Sequence, residues 1–289
     1  NPCVTDNRTS LSDVFTRDFW GHPLYMAGSH KSYRPLSTWT MRAQVLSSSE
    51  YMASSARMTN LPTVALHLFN VLSFAFTSSL FALVCHRVFP FLRYRDPLYF
   101  LPRFSTLLFI VHPIHVEAVA NIVGRCEILS GMFLLLSLLF YMNSAARSYT
   151  LLFDGQVRDE APQLYFSMLH HLGAVACVVL AVLSKEQGAT AIGVWVVYEL
   201  LHAYLDAAAA ADPEDSPKAI LLRYIGAPES VVARKGLCYR LVANILTLAA
   251  ILYARLRMNR HMPKFTASEN VVAVHPDPYV RSLSYSFVN

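Results

Sequence analysis

The stretch His112-Pro113-Ile114-His115-Val116-Glu117-Ala118-Val119-Ala120-Asn121-Ile122-Val123-Gly124-Arg125-Cys126-Glu127 lies between two strongly apolar runs, yet it carries two histidines, two glutamates and an arginine. Ionisable groups at a membrane boundary are costly, so they pair, line a wet cavity or bind something charged. The rest of the chain reads as scaffolding that holds this patch, and others like it, at one face of a bilayer.

Working outward, the 289 residues are 54% hydrophobic and only 15% charged. Their mean hydropathy is +0.36. A soluble domain would carry about a quarter charged residues. The apolar residues also come in blocks of helix-spanning length, so the fold class is all-α, a polytopic helical membrane protein embedded in a lipid bilayer. The net charge of +5 sits in loops without a basic tail, which argues against nucleic acid as a partner. Cys3, Cys85, Cys126, Cys177 and Cys238 are scattered without a CxxC pair, so they form neither a disulfide framework nor a zinc site. Cys3 and Cys126 could meet in an oxidising compartment. The chain starts at Asn1 without a methionine or a signal peptide and is read as a piece of a longer protein.

Residues 1–61 are polar and irregular and are expected to form a loop region outside the membrane. Asn7-Arg8-Thr9 is an N-glycosylation sequon with Asn7 as acceptor, and Thr38 to Leu46 suits a short interfacial helix. A helical membrane region follows over 62–256, with about six spans at roughly 62–84, 98–118, 127–143, 164–183, 187–206 and 237–256. The second is apolar for only about 14 residues before His112, so a break or re-entrant turn is expected near its end. Arg87, Arg93, Arg95, Arg147, Arg158, Lys218, Arg223, Arg234 and Lys235 fall in loops of one side, which the positive-inside rule makes cytosolic. Residues 1–61, 119–126, 184–186 and the C-terminal end are then non-cytosolic, the side on which the sequon also falls. The Ala207–Ala211 run with Asp212-Pro213-Glu214-Asp215 reads as a solvated linker.

Four polar clusters belong to that non-cytosolic face: Asp18 with Trp20; His30, Lys31, Tyr33 and Arg34; His112, His115, Glu117, Arg125 and Glu127; and Lys185 with Glu186. Such a mixture suits transfer of a sugar from a lipid phosphate. A carboxylate takes the proton of the acceptor hydroxyl, and fixed cations stabilise the departing phosphate, for which the planar fork of arginine is well matched. Blander readings stand beside each. Asp18 could brace its loop, Glu117 could pair with Arg125, Arg34 could snorkel to headgroups, and Lys185-Glu186 could be a surface turn. His112 and His115 lack the HExxH pattern of zinc hydrolases, so no metal is assigned to them. His67 and Asn70 share a helix face suited to interhelical hydrogen bonding, and His170, His171 and Glu199 face headgroups or a partner helix.

The order of Asp18-Phe19-Trp20-Gly21, Ser29-His30-Lys31-Ser32-Tyr33-Arg34-Pro35-Leu36, His67-Leu68-Phe69-Asn70, His112-Pro113-Ile114-His115-Val116-Glu117-Ala118-Val119 with Gly124-Arg125, and Ser184-Lys185-Glu186-Gln187-Gly188 resembles the transmembrane and tetratricopeptide-repeat-containing family of endoplasmic-reticulum mannosyltransferases. The resemblance implies a GT-C-type fold that moves mannose from dolichyl phosphate mannose to Ser or Thr of secretory-pathway proteins, cadherin-like acceptors in particular, with the active face lumenal and no cofactor. It implies catalytic roles for Asp18 and Glu117, and donor or substrate contacts for His30, Lys31, Arg34, His112, His115, Arg125, Glu127, Lys185 and Glu186. Residues 257–289, with Pro263-Lys264-Phe265, would begin a lumenal segment leading to repeats that are not in this sequence. The family's acidic pair, its expected general base, would lie upstream of Asn1-Pro2. Two rivals are a non-catalytic membrane adaptor of the endoplasmic reticulum and a transferase using another lipid-linked sugar; a transporter would carry its ionisable residues at mid-span.

Overall fold

Apolar runs in a bilayer must satisfy every backbone N–H and C=O internally, and helices do so within one segment. The structure, a computed structural model, describes residues 1–6, 8–26, 29–48, 62–91, 100–153, 160–209, 216, 231–259 and 275–280. The sequon's Asn7, residues 49–61, Arg93, Arg95, Arg158, the Asp212–Asp215 part of the linker, Lys218, Arg223, Pro263-Lys264-Phe265 and most of 257–289 lie outside the described residues. Within them there is no strand, only an isolated bridge between Arg17 and Pro23.

Three short helices, α1 (Pro2–Thr5), α2 (Leu11–Thr16) and α3 (Pro35–Leu46), precede α4 (Thr63–Phe91), α5 (Phe100–Val111) and α6 (Ile114–Ala120). A 3-10 turn at Ile122–Gly124 leads into α7 (Arg125–Phe153), followed by α8 (Glu160–Ser184), a second 3-10 turn at Glu186–Thr190, α9 (Ala191–Ala209) and α10 (Val231–Asn259). Helices α7 and α8 lie side by side, with α4 and α9 against them. Their shared core gathers Val84, Leu138, Tyr141, Val178, Ile192 and Trp195, and the Tyr141 and Trp195 rings stack with centroids 4.7 Å apart.

Among the described residues, four helices are long and apolar enough to cross a membrane: Thr63–Phe89, Ile122–Ala145, Ser167–Ser184 and Cys238–Met258. The other two expected spans take different forms. Region 98–118 is two helices, because Pro113 has no N–H to continue α5, and the chain turns at His112 before α6 starts. Region 187–206 opens with the 3-10 turn, and regular helix begins only at Ala191. Gly188 explains that turn. A Cβ there would sit 2.4 Å from the Ala181 carbonyl carbon, so only glycine lets the turn fold back on α8.

The helix foreseen over Thr38–Leu46 starts three residues earlier, with Pro35 at its first turn, where a missing N–H costs nothing. Its Arg42 is buried and donates to the Cys3 carbonyl (2.6 Å), Thr9 Oγ1 (2.7 Å) and the Thr9 carbonyl (2.6 Å), stitching the N-terminal segment to α3. Val4, Phe19, Met41, Val45 and Leu66 form a second small core between this region and α4.

Glu199 on α9 and Arg240 on α10 form a buried ion pair, Arg240 Nη2 donating to Glu199 Oε2 at 3.0 Å and Nε to Oε1. The partner-helix reading of Glu199 thus names Arg240. Removing one member strands a charge among apolar helices, so Glu199→Leu is expected to destabilise the fold by about 3–5 kcal/mol, while Glu199→Leu/Arg240→Leu recovers most of it. Thermal melting of the detergent-solubilised protein measures both. The same assay should show Gly188→Ala losing about 1–3 kcal/mol by overpacking, whereas Gly193→Ala, with nothing within 4 Å of its added Cβ, loses none.

Candidate functional site

Contacts bring the segments expected on one face together at one end of the helices. Ser37 Oγ donates to the Ser184 carbonyl (3.0 Å), joining α3 to the end of α8. Gln44 Nε2 donates to the Ala65 carbonyl (2.6 Å), joining α3 to α4. Between these joints lies a cavity of about 620 Å³. Phe74, Phe109 and Ile128 give it an apolar wall, and Arg34, Glu117 and Lys185 bring charge to it. His115, Cys126 and Glu127 also line it.

The hairpin from α5 to α7 places Glu117. His112 Nδ1 accepts the Ile114 N–H (3.2 Å), capping α6 where the proline leaves the backbone short of a donor. The Asn121 N–H closes α6 on the Glu117 carbonyl (3.0 Å), and Asn121 Oδ1 accepts the Val123 N–H (3.0 Å) to start the 3-10 turn. Gly124 then passes so close to α6 that a Cβ would lie 2.4 Å from the Ala118 carbonyl oxygen. Glu117 emerges on the cavity side, exposed and without an ion pair among the described residues. Pairing with Arg125, its blander reading, does not occur there.

Arg125 is instead fully buried behind the cavity wall. Its Nε donates to Asn70 Oδ1 (3.0 Å), and Nη2 donates to Gln44 Oε1 (2.8 Å) and the Leu66 carbonyl (3.0 Å). The guanidinium carbon stands 4.3 Å from the Phe69 ring centroid. Asn70 Nδ2 donates onward to the Asn121 carbonyl (3.1 Å), so the interhelical role foreseen for Asn70 is to hold the hairpin.

Arg34 precedes Pro35, whose ring keeps its backbone out of the helical region (φ −133°, ψ 58°), and it caps α3 without using its side chain. The guanidinium is therefore free to reach the cavity. Nε donates to Glu186 Oε2 (3.1 Å), Nη1 lies 3.4 Å from Cys126 Sγ, and the Phe19 ring centroid is 5.3 Å from the guanidinium carbon. Glu186 Oε1 accepts from Arg255 Nη2 of α10 at 3.2 Å. Lys185 Nζ pairs with Glu127 Oε1 across the cavity rim.

The remaining foreseen residues stand behind Arg34. Asp18 is buried, and its carboxylate accepts from the Trp20 N–H (3.0 Å), the His22 N–H (2.8 Å) and Ser29 Oγ (2.6 Å). Lys31, at φ 58°, folds its ammonium back onto the Leu24 and Met26 carbonyls, the latter at 2.9 Å. His30 packs edge-on to Trp20. The structure thus brings Arg34, His115, Glu117, Glu127 and Lys185 to one cavity, with Arg125 and Glu186 supporting its wall and Asp18, His30 and Lys31 in the loop beneath. Gln44 and Arg255 were not foreseen. Arg255, an ionisable residue inside an apolar run, carried the signal that flags functional positions in membranes. Cys3 and Cys126 are both free thiols, so the disulfide considered for them is not formed. Among the described residues no cluster of three or more His, Cys, Asp or Glu could hold a metal ion.

No family model matches the chain, and no solved structure matches it. Among curated proteins, it is 31% identical to protein O-mannosyl-transferase TMTC3 of Mus musculus over 294 residues, 99% of this chain and 27% of that protein. It is 30% identical to protein O-mannosyl-transferase TMTC4 of Mus musculus over 289 residues, 96% of this chain and 35% of that protein. Against TMTC3 of Homo sapiens the identity is 28% over 298 residues, again 99% of this chain and 27% of that protein. The chain spans about a third or less of the length of these curated relatives. Over nearly its whole extent the chain is thus similar to several proteins that bear the name protein O-mannosyl-transferase.

Proposed function

We propose that this chain is the membrane portion of an endoplasmic-reticulum enzyme that moves mannose from dolichyl phosphate mannose to Ser or Thr of secretory-pathway proteins, cadherin-like domains among them. The scaffold is of GT-C type with its active face lumenal. Residues 1–61 form a lumenal loop, 62–256 the membrane region, and 257–289 the start of a lumenal segment ahead of tetratricopeptide repeats. The observation that carries this reading is the cavity, where an apolar wall of Phe74, Phe109 and Ile128 meets Arg34, Lys185 and a Glu117 without an ion pair among the described residues. A polyprenyl phosphate sugar has the same division, a tail that stays in lipid and an anionic, hydroxyl-rich head.

In the proposed step the acceptor hydroxyl oxygen attacks the anomeric carbon of mannose from the side opposite the phosphate. The new C–O bond forms as the bond to the phosphate oxygen breaks, and dolichyl phosphate leaves with the electron pair. The hydroxyl proton passes to a carboxylate, which the family resemblance puts upstream of Asn1. Arg34 and Lys185 stabilise the charge gathering on the phosphate, where aimed donors are worth most because they need not reorganise. Glu117 accepts hydrogen bonds from the sugar hydroxyls and holds the anomeric carbon toward the acceptor. Asp18, Lys31 and Arg125 contribute by holding the loop and hairpin in place.

The test is transfer of labelled mannose from dolichyl phosphate mannose to cadherin-domain acceptors by the full-length protein in microsomes. Arg34→Ala and Glu117→Gln should each lower transfer by about 10²-fold, in proteins that accumulate and melt as wild type does. Wild-type transfer by a folded double variant would overturn the assignment. No transfer by a folded wild-type protein would favour an adaptor.

A further inference from the structure

Glu186 is shared oxygen by oxygen between two arginines, Arg34 through Oε2 at 3.1 Å and Arg255 through Oε1 at 3.2 Å. One carboxylate between two guanidiniums leaves a surplus positive charge. The geometry also decides which arginine carries it into the cavity. Among the described residues the one ion pair of Arg34 is made through its Nε, and its Nη1 meets the Cys126 thiol at 3.4 Å, beside the cavity that the residue lines. Sulfur is a weak acceptor that a phosphate oxygen would displace. Without Arg255, Glu186 would be free to turn and take both Nε and a terminal nitrogen of Arg34 in the planar fork arrangement that arginine and carboxylate favour. That closed pair would be neutral and would present nothing to an anion.

We propose that Arg255 is a positioning residue for a lipid-linked phosphodiester: by occupying Oε1 of Glu186 it keeps Arg34 monodentate, with its fork open to the phosphate. This deepens the reading of the function given above and rests on it. It also gives α10 a task. Only 6% of the apolar window of this helix is buried against the described part of the protein, so Arg255 is one of its few fixed points at the cavity end.

The test compares wild type, Arg255→Gln, Arg255→Lys, Glu186→Gln and Arg255→Gln/Glu186→Gln in the full-length protein. Two readouts are steady-state mannose transfer with varied dolichyl phosphate mannose and equilibrium binding of farnesyl phosphate. Arg255→Gln should raise the donor KM about tenfold, as loss of a charged hydrogen bond would, with kcat and the acceptor KM within about twofold of wild type. Arg255→Lys should recover most of that affinity. The Arg255→Gln effect should vanish in the Glu186→Gln background, because Arg255 acts through Glu186. Farnesyl phosphate affinity should follow the donor KM. Should Arg255→Gln not fold, Arg255→Lys and Glu186→Gln carry the same comparison. An unchanged donor KM in a folded variant, a fall in kcat alone, or effects that multiply in the double variant would overturn the proposal. A wild type that binds farnesyl phosphate through Arg255 but transfers no mannose would remove the enzymatic reading and leave this one standing.

Discussion

The architecture around the cavity depends on a guanidinium buried with no counter-charge among the described residues. Arg125 is fully enclosed, and its acceptors are a side-chain amide on α3, another on α4 and a backbone carbonyl. Taking a cation out of water costs several kcal/mol, and charged hydrogen bonds with an aromatic face beneath offset part of that. The remainder is tolerable only if the acceptors are held where the cation needs them. Their placement fixes three segments that no continuous helix joins: the loop-side helix α3, the spanning helix α4, and the hairpin at the start of α7. With that knot tied, Gly124 is pressed onto Ala118 and the carboxylate of Glu117 has one side left to face.

Charges at this end of the molecule divide by what they touch. Asp18, Lys31 and Arg42 spend their hydrogen bonds chiefly on backbone groups of residues 1–32, a segment with little regular structure of its own to satisfy them. Lys31 even holds a left-handed backbone conformation, which costs a residue with a Cβ roughly 1–2 kcal/mol. Arg34, Glu117 and Lys185 instead border open volume. The first group makes a rigid rim out of an irregular chain; the second has capacity left for a ligand. One short motif supplies both groups, Lys31 standing three residues before Arg34.

That division explains what could be read in advance. The helical membrane fold and the break at His112-Pro113 were legible because they rest on local chemistry: apolar runs that need internal hydrogen bonds, and an imide that cannot supply one. Placing the 119–126 and 184–186 turns with residues 1–48 followed from charge counts. Which motif residues face the cavity was not legible, since it depends on partners far apart in sequence. Arg34 meets Glu186 across 152 positions, and Arg125 meets Gln44 across 81. Asp18 and Lys31 carry the same kinds of charged group, carboxylate and ammonium, as the cavity-lining residues, but groups of their own loop claim them. Arg240 and Arg255 were overlooked because apolar neighbours hid them inside a span, and Glu199 was noticed without its partner for the same reason.

The three tryptophans of the chain are split by this architecture. Trp195 is wholly buried, stacked on Tyr141 between α7 and α9, while Trp20 and Trp39 belong to the loop region and are 53% and 45% exposed. One indole therefore samples the dry interior of the helices and the other two the surface of the rim. Their emission separates by wavelength and by access to small quenchers. Light from within the bundle and light from the rim can be followed independently in a single unlabelled sample, so loosening of one region is visible while the other stays folded.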